Sequence, residues 1–110
     1  MNLLVNDKRI TQKLEIADNF LKRIKGLIGK KSIDENYGLF IPCCNSVHTF
    51  FMQCPIDIVM TDKNFKVIYL REFVNPFKII ICFKAYHTFE FAAGIIKKVK
   101  IKNGDFLKIV

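Results

Sequence analysis

The chain has 110 residues, of which 51% are hydrophobic and 25% are charged, and its formal net charge is +8 at pH 7. This length predicts a single domain over residues 1–110, and the apolar content excludes an intrinsically disordered chain. The longest apolar run, Ile79 to Phe83, is far too short for a transmembrane helix.

The positive charge is spread along the chain as single or paired lysines, such as Lys30-Lys31 and Lys97-Lys98. This scatter is typical of a solvated surface, so nucleic-acid binding is disfavoured, although a basic surface for nucleic acid or acidic lipid stays an alternative. The first residues lack a basic leader, a long apolar stretch and a small-residue cleavage site. We therefore expect a cytoplasmic protein whose four cysteines stay reduced.

The amino-terminal third predicts one strand and one helix. Lys8 to Ile16 alternates apolar and polar residues, as a strand with one wet face does. Apolar residues then recur at helical spacing, which predicts a short amphipathic helix from about Asn19 to Ile28, with Asp18 as its N-cap and Gly29 as its end.

The rest of the chain predicts short strands separated by turns. The turn composition of residues 61–64 predicts a hairpin, and Asn103-Gly104 predicts a type I′ turn. The predicted strands are Gly38 to Ile41, Val47 to Met52, Ile56 to Met60, Phe65 to Arg71, Lys78 to Phe83, Thr88 to Ala92, Lys98 to Lys102 and Phe106 to Val110. This pattern predicts an α+β fold, mostly antiparallel, built as a small β-barrel or sandwich with one short N-terminal helix.

Residues 37–57 concentrate the chemically unusual side chains. This segment holds three of the four cysteines, one of the two histidines and two of the three prolines. Adjacent Cys43 and Cys44 point to opposite faces of an extended chain and no CxxC pair is present, so we predict no metal site. An alternative is a thiol-dependent enzyme that uses Cys44 or Cys54 with His48.

Two carboxylates interrupt apolar strands, Asp57 and Glu90. A buried carboxylate needs a cation or hydrogen-bond donors, for which Arg23, His48 and Thr49 are candidates. Otherwise Asp57 accepts backbone N–H groups at a bend and Glu90 pairs with a surface lysine.

The leading hypothesis is a binding or interaction module without catalytic residues or a cofactor. Its partner is a small molecule or protein of unknown identity, and no oligomeric state is predicted. The predicted ligand-binding residues of a partly apolar cleft are Arg23, His48, Thr49, Met52, Asp57 and Glu90.

Six short motifs occur in one order over nearly the whole chain. They are Arg23-x-x-Gly26-Leu27-Ile28, Gly38-Leu39-Phe40, His48-Thr49-Phe50-Phe51-Met52, Pro55-Ile56-Asp57-Ile58-Val59-Met60, Phe89-Glu90-Phe91-Ala92-Ala93-Gly94 and Gly104-Asp105. In this order they resemble the domain-of-unknown-function 192 family of small bacterial and archaeal proteins. The resemblance implies a compact, mainly β fold with one short helix, and it implies no catalytic role.

Overall fold

The structure, a computed structural model, describes residues 1–17, 32–50 and 52–110, which form ten strands and one short helix. The predicted helix from about Asn19 to Ile28 and the predicted site residue Arg23 lie outside the described residues. The elements in chain order are β1 (Leu3–Val5), β2 (Lys8–Thr11), β3 (Lys13–Ile16), β4 (Tyr37–Ile41), β5 (Ser46–His48), β6 (Ile56–Thr61), β7 (Val67–Val74), β8 (Ile79–Ile81), β9 (His87–Ala92), α1 (Ile95–Val99) and β10 (Leu107–Ile109).

The described strands form three separate sheets. The central sheet has the order β3-β4-β9-β6-β7, a second has the order β10-β1-β2, and β5 pairs with β8 alone. All pairs are antiparallel except β3 with β4, which is parallel. The mainly antiparallel β fold is confirmed for the described residues, whose strands form no single closed barrel.

A hydrophobic core cluster covers each face of the central sheet. Strand β6 shows this directly, because Val59 belongs to one cluster whereas Ile58 and Met60 belong to the other. The first cluster also includes residues of β1, β10 and α1, and the second includes Ile80 of β8. All six residues of β6 and all six of β9 are buried, so neither strand has a solvent-exposed face.

Gly38 shows how closely the central strands and the first cluster are packed. A β-carbon built at this position would lie 3.0 Å from a ring carbon of Phe91 and 3.2 Å from a methyl carbon of Leu14. A larger residue would force these side chains apart, so the contact explains the glycine in an otherwise apolar strand.

The hairpin predicted around residues 61–64 is confirmed. Strands β6 and β7 pair antiparallel on either side of it. The Asp62 carboxylate accepts the N–H groups of Asn64 and Lys66 at 2.8 and 3.0 Å and thereby fixes the turn.

The predicted strand from Lys8 to Ile16 is two strands in different sheets. Strands β2 and β3 are separated at Gln12, whose N–H donates to the carbonyl of Asn36 at 3.2 Å. Burial alternates along β3 but not along β2, where Ile10 and Thr11 are both buried, and the chain passes from one sheet to another between the two strands. The sequence pattern also missed β1, which pairs with both β2 and β10.

The predicted strand from Val47 to Met52 ends early. Strand β5 stops at His48, because the carbonyl of Thr49 accepts the N–H groups of both Met52 and Phe77 and so turns the chain. The predicted strand from Lys78 to Phe83 shortens to β8, and Cys82, which follows it, is only half-buried.

The strand predicted over Lys98 to Lys102 was wrong. Val99 ends helix α1, whose buried residues are Ile95 and Ile96. Apolar residues at positions 95, 96 and 99 fit one face of a helix, and the lysines that follow imitate a strand alternation. In the described residues no helix has the length and apolar character needed to cross a membrane.

The type I′ turn predicted at Asn103-Gly104 was also wrong. Only Gly104 of the two has a positive φ, 95°, and the N–H of Asp105 donates to the carbonyl of Lys102 at 3.1 Å. A positive φ at the third turn residue alone is typical of a type II turn. The following strand, β10, pairs with β1 rather than with the residues before the turn.

Candidate functional site

Asp57 is fully buried and binds three backbone N–H groups. Its Oδ1 accepts from Phe73 at 3.0 Å, and its Oδ2 accepts from Gly94 at 3.0 Å and from Ile96 at 2.9 Å. The carboxylate thus satisfies donors at the start of α1, which the helix itself leaves without acceptors. This arrangement matches the alternative in which Asp57 accepts backbone N–H groups at a bend.

Glu90 lies on the opposite face of the same sheet. In the pairing of β6 with β9, Asp57 faces Phe91 and Ile58 faces Glu90. Directly paired residues share a face and successive residues alternate, so the two carboxylates point apart. A single cleft lined by both side chains is therefore incompatible with the register.

The Glu90 side chain is buried in the central sheet. Its Oε2 has no hydrogen-bond partner among the residues that the structure describes. Burial raises the pKa of Glu90 from 4.5 to about 7. On the neighbouring strand the Tyr37 hydroxyl donates to Glu15 at 3.1 Å. Burial is the larger cause that raises the pKa of Tyr37, and this hydrogen bond is the second.

Thr49 is a buried connection between two loops. Its hydroxyl donates to the carbonyl of Asn75 at 2.7 Å and accepts the N–H of Lys78 at 2.9 Å. Because these bonds join the end of β5 to the start of β8, Thr49 sets the geometry of that pair and exposes no polar atom for a ligand.

His48 is exposed and borders a shallow cleft. Its Nδ1 accepts the N–H of Phe50 at 3.4 Å, and the two ring centroids lie 5.2 Å apart. The cleft has a volume of about 210 Å³, and its lining residues are Ser46, Val47, His48, Phe50, Ile79 and Ile81. Met52, also predicted here, is buried in the second core cluster instead.

Large apolar side chains of the cleft lining and of the residues next to β8 in the chain are open to solvent. We call this surface the apolar face and define it by His48, Phe50, Phe77, Ile79, Ile81 and Phe83. Phe77 and Phe83, which flank β8, are 75% and 87% exposed. Phe50, Ile79 and Ile81 line the same cleft. Contiguous exposed apolar side chains are typical of interaction surfaces.

The surroundings of Cys44 and Cys54 give no support to the thiol alternative. The Cys44 thiol donates to the carbonyl of Ser46 at 3.0 Å, and burial raises the pKa of the Cys54 thiol, whereas an activated cysteine needs a lowered pKa. Within residues 1–17, 32–50 and 52–110, no group of three or more His, Cys, Asp or Glu side chains has the geometry to hold a metal ion.

Sequence reasoning missed His87, the second histidine. Its ring stacks on Phe65 with centroids 4.6 Å apart, and its Nδ1 accepts the N–H of Cys43 at 3.3 Å. Burial lowers the pKa of His87, although Asp62 partly opposes this effect. The alternation of His87, Phe89 and Phe91 along one strand was the signal that could have identified it as a core residue.

A family model matches nearly the whole chain. The model for DUF192, described as Uncharacterized ACR, COG1430, matches residues 2–109. The chain belongs to the DUF192 family. The resemblance predicted from the six motifs is thereby confirmed.

Named relatives come from the same uncharacterised family. A UPF0127 protein of Pyrococcus horikoshii is 33% identical over 102 residues, covering 86% of this chain and 85% of the relative. A UPF0127 protein of Thermococcus kodakarensis is 27% identical over 100 residues, covering 86% of this chain but only 63% of the relative's length.

A protein of known structure has the same fold. The crystal structure of a protein of unknown function from Novosphingobium aromaticivorans superposes with a TM-score of 0.86, and the match covers 98% of this chain and 84% of the other. At 17% sequence identity the likeness concerns the fold alone.

Proposed function

We propose that this DUF192 protein is a non-catalytic interaction module and that the apolar face is its binding surface. The observation that carries the proposal is the concentration of exposed Phe and Ile side chains around the β5–β8 pair. Of the predicted site residues, the proposal keeps His48 in contact with the partner and gives Thr49 a positioning role.

The free energy of burial supports binding through this surface. Covering one large apolar side chain favours association by about 1.5–3 kcal/mol when burial is complete. Several such side chains together offset the loss of translational and rotational freedom on association. A partner that covers the whole face therefore gains more than a polar metabolite, which would find few hydrogen-bond donors there.

The charge of the surrounding residues adds to this argument. The two segments that build the face, residues 42–56 and 75–89, contain no Asp or Glu. Exposed Lys78 and Lys84 are their only charged residues apart from the histidines. The partner is therefore expected to combine an apolar surface with negative charge.

The test uses anilinonaphthalene sulfonate, an apolar anion, as the probe. We expect its titration to shift the backbone amide signals of residues 46–50 and 79–83 in the nuclear magnetic resonance spectrum. Ile79→Ser should weaken binding about fivefold.

The matched control is Val110→Ser, because Val110 is 60% exposed and Ile79 is 61% exposed. We expect Val110→Ser to leave the affinity unchanged. Amide shifts located elsewhere, or equal effects of the two substitutions, would overturn the proposal.

A further inference from the structure

We infer that the partner of the apolar face is the surface of an anionic lipid bilayer. This inference rests on the proposed function, because it names the partner of the same surface. It is argued from the shape of the face, from the positions of its lysines and from the charge of the whole chain.

The shape of the face suits a deformable apolar partner. The cleft of about 210 Å³ is smaller than the roughly 300–1,000 Å³ that enclose a typical small ligand. Phe77 and Phe83 protrude at the two ends of β8 instead of lining a deep groove. Protruding aromatic rings find full contact when they enter the boundary between lipid head groups and acyl chains.

In the chain, an exposed lysine follows each of the two most exposed aromatic residues that the structure describes. Lys78 directly follows Phe77, and Lys84 directly follows Phe83. A lysine beside an inserted ring keeps its ammonium group at the level of the lipid phosphates while its methylene groups lie along the apolar boundary. The two lysines therefore favour a bilayer that carries anionic head groups over a neutral one.

Backbone conformation places one of these rings in a tight turn. Phe77 has a φ of 66°, and its N–H donates to the carbonyl of Thr49 at 3.0 Å. A left-handed conformation is costly for a bulky residue and is retained only where surrounding bonds enforce it. The bond to Thr49 thus fixes the backbone at Phe77, whose ring is exposed to solvent.

A second copy of this chain is a poorer occupant of the face. Two copies would bring Lys78 and Lys84 of one molecule toward the same lysines of the other, and each chain carries a net charge of +8. Like charges brought together across an apolar contact oppose association, whereas an anionic bilayer is attracted by them.

The experiment is co-sedimentation of the folded full chain with vesicles. Vesicles of phosphatidylcholine alone are compared with vesicles that also contain phosphatidylglycerol, at low and at high salt. We expect binding to the anionic vesicles only, with an affinity that falls as salt rises. Phe83→Ser should weaken this binding about tenfold, and Lys78→Ala with Lys84→Ala should reduce its salt dependence.

Phe106→Ser is the matched control, because Phe106 is 53% exposed and lies outside the face. It should bind vesicles as the unaltered protein does, and circular dichroism should show that every variant stays folded. Binding that ignores lipid charge, or equal losses from Phe83→Ser and Phe106→Ser, would overturn the inference.

Two further outcomes separate this inference from the proposed function. If the amide shifts with anilinonaphthalene sulfonate map to the face but neither vesicle sediments the protein, the lipid partner is wrong and the interaction surface stands. If the protein self-associates in sedimentation equilibrium and Phe83→Ser abolishes this, a second copy is the occupant and the lipid inference is overturned.

Discussion

Asp57 and Glu90 lie on neighbouring paired strands, yet their carboxyl groups point to opposite faces of one sheet. Asp57 is paired with Phe91, and Glu90 is paired with Ile58, one position further along. Asp57 accepts one N–H group from β7 and two from the start of α1, whereas Glu90 is paired with Ile58, a residue of the second core cluster. The two acids therefore stabilise or destabilise the fold independently.

Asp57→Ala is expected to destabilise the protein strongly. The substitution leaves three N–H groups without their acceptor, one of them fully buried, and each such group costs about 1–3 kcal/mol. We therefore expect the free energy of unfolding in urea to fall by about 3 kcal/mol or more. Asp62→Ala is the control, because Asp62 also accepts two backbone N–H groups but in an accessible turn where water replaces the carboxylate. Equal losses from the two substitutions would contradict a special role for Asp57.

Thr49→Val is expected to cost about 1–3 kcal/mol, because it removes the hydroxyl that binds Asn75 and Lys78. Thr11→Val is the matched control. Thr11 is equally buried, but its hydroxyl has no hydrogen-bond partner among the described residues, so its loss should be neutral or stabilising. Urea unfolding measures both. A similar cost at the two positions would show that packing, rather than hydrogen bonding, dominates at Thr49.

The sequence pattern correctly predicted the strands that are buried along their whole length. Strands β4, β6 and β9 lie in the centre of the sheet, and their apolar runs bounded by Pro or Gly were read correctly. Helix α1 was not predicted, and its last two residues, Lys98 and Val99, were assigned to a strand. Its first N–H groups are satisfied by Asp57, thirty-seven and thirty-nine residues earlier in the chain. Such a distant acceptor leaves no local signal.

The candidate site was predicted less well than the fold. The segment around His48 was identified correctly as unusual, but strand parity alone could not show that Asp57 and Glu90 belong to opposite faces. That conclusion requires the register between β6 and β9, which depends on which strands are neighbours. The exposed residues Phe77, Ile79 and Phe83 were overlooked, because an apolar run in a sequence is ordinarily interpreted as core.

His87 is expected to make the protein less stable in acid. Its pKa is lowered by burial, so the unfolded chain binds a proton more readily than the folded protein below the ordinary value of 6.5. The stabilising contribution is therefore present above pH 6.5 and is lost as the pH falls. His87→Gln keeps an acceptor for the Cys43 N–H but does not titrate, so its unfolding free energy should fall less on acidification. An unchanged pH dependence in this variant would rule out His87 as the source.

Glu90 is expected to act in the opposite direction. Its folded pKa of about 7 exceeds the ordinary 4.5, so the folded protein binds the proton more tightly, and stability is lost as the pH rises from 4.5 through 7. Glu90→Gln cannot ionise and should be more stable than the unaltered protein at about pH 8, by up to about 3 kcal/mol. The gain should vanish near pH 4. Urea unfolding at both pH values, with Glu72→Gln as an exposed control, measures the effect.

The same variant also decides whether Glu90 pairs with Arg23, one of the candidate partners named from the sequence. A carboxylate paired with a guanidinium is ionised in the folded protein, so Glu90→Gln would then lower the stability near pH 8 instead of raising it. In that case Arg23→Gln should destabilise the protein by a similar amount, and the double variant should lose little more than either single one. A stabilised Glu90→Gln together with an unaffected Arg23→Gln would instead leave Glu90 as a buried acid that loses its proton near neutral pH at the expense of the fold.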